Sequence, residues 1–407
     1  MSEFINNISR RRNRLYEFSA GIFNGGKRKE FIDKYKDDLD NLTPSDVFYL
    51  VHELTEKDFS VYQVKRQVGK ILNIFFEPLK KYPKKKPEKG TFLYYLEQEN
   101  RELEKRLKDI KNVLKEINKD KEISEENKAK LRKQFSDLKE FEKHYSKKEN
   151  ILFPYIEKKE EKHSCLKVMW AFHDEYREIL KEISEILENE NPDLDDINDL
   201  TGRFFFAVVP VIFREEYILH PFALDILQTS DFENMLTESF DIGFAYIKAP
   251  QSIKHNANKK DEEKIPGNFT ENTVNLETGN LLPEQIVLMI NNLPLDITFV
   301  DENDRVRFFS NPKHRFFTRS KAILGRTVQN CHPHDSVHIV EEILKSFKNK
   351  EKDKARFWIQ MKGRFILIEY YALYDDDGNY KGTIEVSRDI TEIKKLEGEQ
   401  RLLDWQK

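Results

Sequence analysis

The sequence predicts a multidomain chain: an all-α N-terminal helical module, a four-helix up-down bundle, and a small α+β domain with a five-stranded antiparallel sheet. Three observations predict it. Apolar residues of helical period run in stripes through the first 225 residues, the period drops to two after residue 295, and polar breaker-rich stretches separate the parts. The chain has 407 residues, too many for one ordinary core. Charged residues make up 35% against a usual share of about 25%, so the elements are thin and well solvated. Thirty Phe and an aromatic share of 12% speak against disorder.

Residues 1–80 read as short helices, on Leu15, Phe18, Ile22 and Phe23, then Phe31, Tyr35 and Leu39. Thr43-Pro44 is a helix start, a capping hydroxyl followed by proline at the first helical position. A helical adaptor or dimerisation module is the expected role. The run from Lys80 to Lys89 is basic but broken by Pro83 and Pro87, and reads as a solvated linker.

Residues 90–247 carry the four stripes. Leu96, Leu103, Leu107, Ile110, Leu114 and Ile117 form the first; Leu131, Phe135, Leu138, Tyr145, Leu152 and Ile156 the second. Leu166, Met169, Tyr176, Leu180, Ile183 and Leu187 form the third; Phe204, Val208, Val211, Ile218 and Phe222 the fourth, kinked at Pro210. Polar connectors join them into an up-down bundle. Residues 248–275 form a linker. Segments 296–301, 305–309, 356–360, 365–370 and 382–387 alternate as strands, with a helix at 336–348 between the second and third. The last domain spans 276–395, and 390–403 reads as an exit helix, with 396–407 as the C-terminal tail of it.

The charges nearly balance, 69 Lys and Arg against 73 Asp and Glu, which argues against nucleic acid as a partner. No segment is long and apolar enough for a membrane span, and the N-terminus lacks the apolar core of a signal peptide. Cys165 and Cys331 are too few for a disulfide framework, and the expected location is the cytoplasm. No glycine-rich phosphate loop and no nucleophile–base arrangement is present, so no catalytic residue is assigned.

Polar residues on apolar stripes are the informative ones in the bundle, because a buried charge is costly unless it is paired or metal-bound. Glu99 lies between Leu96 and Leu103, Glu149 between Tyr145 and Leu152, and His173 between Met169 and Tyr176. Glu215 follows Val211 by four, and Glu216 flanks it. Each helix thus sends an acid or imidazole toward one axis, as a non-haem iron site in a bundle requires. The alternative is that these groups satisfy one another by hydrogen bonding.

Three segments resemble the hemerythrin-like HHE cation-binding family: Glu142-Lys-His144 through Pro154, Lys167 through Glu175, and Phe213 through Pro221. More narrowly they resemble the branch that has a helical N-terminal domain before the bundle and a PAS domain after it. That resemblance implies iron, mono- or dinuclear, held by His144, Glu149, His173, Glu215 or Glu216, with Glu99 on the first helix. The pattern departs from the family in spacing. Lys148 is the fourth residue after His144 and Glu149 the fifth. Five residues turn about 140° around a helix, so both face the axis only across a bulge. The first helix has no histidine before Glu99-Asn100, and Val211 and Ile212 stand where a last histidine would. A carboxylate-rich site, a single metal or a metal-free relic all remain.

Residues 292–309, the Gly325–Pro333 stretch with the following helix, and the Gly382–Thr391 strand resemble a PAS domain. Cys331, His332, His334 and His338 gather at the start of its helix, and Trp358 lies in a segment that is specific to the branch. A histidine there is a candidate haem ligand, with Cys331 a softer donor; the alternative has Cys331 in the core and His332 at a cap. The implied function is a homodimeric sensor of a small gaseous or redox signal, acting on a downstream protein partner. The rivals are a metal enzyme acting on oxygen or peroxide and a metal-free interaction scaffold.

Overall fold

The structure is a computed structural model that describes residues 2–83, 85–250, 273–313 and 315–399, side chains of 2–8, 334 and 335 excepted. It divides into two compact units, 1–253 and 254–407.

In the first unit the N-terminal helices are α1 (Ser2–Phe23), α2 (Arg28–Lys34), α3 (Lys36–Asp40), α4 (Pro44–Lys57) and α5 (Val61–Lys81). The Thr43 hydroxyl accepts from the Asp46 N–H while Asp46 returns a bond to the Thr43 N–H, which fixes the start of α4. The first bundle rod is α6 (Phe92–Asp120). The second is α7 (Glu125–Leu138), α8 (Glu142–Lys147), a π turn (Lys148–Leu152) and α9 (Phe153–Lys159). The third is α10 (Cys165–Glu188). The fourth is α11 (Leu194–Arg214), a second π turn (Glu215–Leu219) and α12 (His220–Ile226); α13 (Thr229–Ile242) then packs on α6.

The N-terminal helices do not stand apart from the bundle. One apolar core runs from Leu15 to Ala245, α4 and α5 pack on α10, and the rings of Phe48 and Phe222 stack at 3.6 Å.

Both π turns have the same local cause. The N–H groups of Phe153 and His220 bond to the carbonyls of Lys148 and Glu215, five residues back. The next residue in each case is proline, Pro154 or Pro221. A proline ring meets the carbonyl four residues back in a regular helix, and the wider turn relieves that contact.

The second unit opens with the two-residue strands β1 (Val274–Asn275) and β2 (Asn280–Leu281), then α14 (Pro283–Asn292). Its sheet comprises β3 (Asp296–Asp301), β4 (Val306–Phe309), β5 (Lys354–Met361), β6 (Arg364–Tyr374) and β7 (Tyr380–Asp389), antiparallel throughout in the order β4-β3-β7-β6-β5. Helix α15 (His334–Lys348) brings Val340 and Leu344 against Val300, while Phe347 packs with Ile366 and Ile368. Gly382 has φ +138°, and a Cβ there would lie 2.2 Å from the Val300 carbonyl oxygen, so β7 and β3 close only around a glycine.

The expected exit helix is not formed where it can be seen. After β7 the chain makes only a 3-10 turn at Ile393–Lys395, and 396–399 is irregular; 400–407 lies outside the described residues. Gly398 adopts a positive φ there, which a helix does not accommodate. Most of the expected linker, 251–272, also lies outside them. No helix among the described residues is long and apolar enough to cross a membrane.

Candidate functional site in the bundle

The bundle axis holds a chain of buried acids and lysines joined through a histidine. His144 sits between two acids, its Nδ1 2.9 Å from Glu99 Oε2 and its Nε2 3.2 Å from Glu215 Oε2. Asn100 Nδ2 donates to the same Glu215 oxygen at 2.8 Å. The Ala245 backbone N–H donates to Glu99 Oε1 at 2.8 Å. Two ammonium groups close the ends: Lys147 donates to Glu99 Oε1 and Lys148 to Glu215 Oε1. Glu99, His144, Lys148 and Glu215 are each at most 1% exposed.

Burial works against charge on both sides of these pairs and draws Lys147 and Lys148 below the ordinary ammonium value. It also tends to raise the acids. The Lys148 charge and the His144 contact overcome that at Glu215 and hold it well below the carboxylate range; His144 and Lys147 hold Glu99 down. Both acids are therefore ionised and matched.

A second group lies beside the first. His173 Nδ1 is 2.8 Å from Glu149 Oε1, and Arg177 Nη2 donates to both oxygens of Glu149, at 3.0 and 2.9 Å. Arg177 also clamps Glu142 through Nε and Nη2, each at 2.9 Å. The Tyr145 ring stacks on the His173 imidazole at 4.2 Å. Burial, helped by the charges of Lys148 and Arg177, pushes the His173 titration well below its ordinary value, so the ring is neutral.

The π turn at 148–152 is the bulge that the spacing of His144 and Glu149 demands, and both side chains are buried. Of the sequence-predicted set, Glu99, His144 and Glu215 come together, and Glu149 and His173 form the second group. Glu216 turns to Arg101 instead. Sequence reasoning missed Asn100, Lys147, Lys148 and Arg177. A signal existed: Lys147 and Lys148 stand three and four residues after His144, and Arg177 four after His173, on the same helical faces. His220 was also missed; it is buried, with Nδ1 3.6 Å from Glu97 Oε1.

These residues do not fit a resident metal ion as arranged. The acids Glu99, Glu149 and Glu215 already face the cations Lys147, Arg177 and Lys148, so an added divalent charge would have to displace an ammonium or a guanidinium. The His144 ring is engaged at both nitrogens. Among the described residues no three His, Cys, Asp or Glu side chains converge to hold an ion.

In the second unit the expected ligand residues do not surround one space. His338 is exposed, and Trp358 is 61% exposed on β5. Cys331 is half-buried, its Sγ 3.6 Å from the Thr327 carbonyl oxygen. His332 is half-buried, and desolvation together with the Arg319 charge lowers its titration to about 4. The His334 side chain lies outside the described residues. An interior cavity instead lies between sheet and helix, walled by Val300, Val340, Leu344, Tyr370 and Glu385. At about 20 Å³ it admits a water and not a haem.

Comparison with known proteins agrees with this division. Residues 76–223 match the family model of the hemerythrin HHE cation binding domain, and residues 286–391 match that of a PAS domain. The chain thus carries an HHE cation-binding domain and a PAS domain, preceded by a helical N-terminal region.

Among solved structures it is similar to a C-terminal domain from Streptococcus mutans, at 30% identity over 31% of this chain and 97% of that one, TM-score 0.30. It is also similar to a PAS domain of a Colwellia psychrerythraea protein, at 20% identity over 27% of this chain and 97% of that one, TM-score 0.22. The PAS domain of Bordetella pertussis BvgS aligns at 21% identity over 28% and 88%, TM-score 0.23. No curated protein matches the chain.

Proposed function

We propose that the protein is a sensory or regulatory protein whose HHE bundle is held by its own charges and whose PAS domain receives a small ligand or a partner. The observation that carries this reading is the buried chain Lys147–Glu99–His144–Glu215–Lys148, in which lysines supply the positive charge that a cation supplies elsewhere. Such a chain is a rigid scaffold element, since each member is costly to bury alone. The pairing of the HHE domain with a PAS domain supports a signalling role in preference to turnover. A homodimer is part of the proposal: α14 buries none of its residues and exposes Val287, Leu288 and Met289.

A second reading keeps iron in the bundle as the sensing group. The cation-binding family match and the buried His173 Nε2, which has no hydrogen-bond partner, favour it. Metal analysis of protein purified from iron-supplemented cells decides between them. Substoichiometric iron, unchanged in His173→Ala, is the expected result. Stoichiometric iron lost in that variant overturns the metal-free reading in favour of the second.

A further inference from the structure

We propose that the cavity between α4, α5, α10 and the second π turn binds a short-chain carboxylate through Arg214. This site is separate from the charged chain at the bundle axis. Arg214 directly precedes Glu215, yet it lines the opposite seam, against the N-terminal helices.

Arg214 is 8% exposed, and its Nε and Nη1 are buried without any hydrogen-bond partner. Its guanidinium lies 3.8 Å over the Phe172 ring, which screens one face and accepts no N–H in the plane. The acid that acts on it, Glu175, is itself tied to Lys65 at 3.3 Å. Every other buried cation of the bundle described above has an acid in contact. A guanidinium left so is an incomplete pair, and leaving its donors unmet is costly.

The walls say what completes it. Val51, Val68, Leu72, Val168 and Met169 are apolar and offer no hydrogen bond to a phosphate's remaining oxygens. One cation favours a monoanion, and apolar walls favour one with a hydrocarbon tail. The space is about 40 Å³, roughly three water-sized guests, which suits only the shortest acids, of two or three carbons. The planar fork of arginine matches a carboxylate.

Isothermal titration of the full chain with acetate, propionate, butyrate and hexanoate, with sodium chloride as the control anion, tests this. Saturable binding should tighten about fourfold from acetate to propionate, then weaken through butyrate and hexanoate as the tail outgrows the cavity. Arg214→Met should weaken it at least tenfold, and Val168→Leu should shorten the preferred tail while acetate still binds. Absence of saturable binding at millimolar acid, equal binding of chloride, or unchanged binding in Arg214→Met overturns the proposal. Should Arg214→Met fail to fold, Val168→Leu decides: a shortened tail preference supports the site, and an unchanged profile sinks it.

Discussion

The Lys148 ammonium donates to the Glu215 carboxylate with both side chains closed off from solvent, four residues beyond the His144 that bridges Glu215 to Glu99. Removing one member of such a pair leaves the other charge buried without compensation. Lys148→Met should therefore lower the stability of the full chain by about 3–5 kcal/mol in denaturant unfolding. The double variant Lys148→Met, Glu215→Met should recover part of that loss; a purely additive double variant would show that the pair does not act as one.

Arg177 serves Glu142 and Glu149 together. Arg177→Met should cost on the order of 3 kcal/mol, more than Arg101→Met, whose side chain is 43% exposed against 29% for Arg177. Chemical denaturation of the two variants side by side checks the order.

His332 titrates near 4 in the fold and at about 6.5 in an unfolded chain. Its folded value is the lower, so the unfolded chain takes up the proton first. The stability linked to it is fully present above about pH 6.5 and falls by up to about 1.4 kcal/mol per unit as pH drops toward 4. His332→Phe should flatten that slope when the second unit's unfolding is followed between these limits.

Gly382 brings β7 against the Val300 carbonyl. Gly382→Ala should destabilise the second unit by roughly 1–3 kcal/mol, through strain at positive φ and overpacking together. Gly363→Ala, where a Cβ meets nothing within 4 Å, should cost less. Thermal melts of both variants separate packing from backbone strain.

Phe48 stacks on Phe222 across the seam between the N-terminal helices and the bundle. Phe48→Ala should destabilise the first unit by about 3–5 kcal/mol and shift the unfolding of both sets of helices together. Separate transitions for residues 1–80 and the bundle would contradict the shared core.

Much of this fold was legible because its periods are clean. The strand at 296–301 was placed to the residue, and the helix expected at 336–348 begins at 334. Thr43 announced α4 through its side-chain chemistry. The N-terminal module is expected from its own apolar spacing and from the Lys80–Lys89 linker, and no local pattern reveals that Phe48 lies on Phe222. The inward acids were legible from their stripes. The lysines were not read, because a lysine in sequence is taken for surface, and only its spacing from His144 marks it as interior. The Arg214 cavity is formed by residues from Val47 to Leu219, a juxtaposition no local pattern encodes.

The two π turns give a last consequence. One inserted residue rotates everything downstream by about 100° relative to an unbroken helix. In the fourth rod this lets Glu215 look toward the axis while Ile218 and Leu219 meet the N-terminal helices. A single rod thereby has two allegiances, and deleting one residue from 215–219 would set them at odds: whichever seam kept its register, the other would present the wrong side chains.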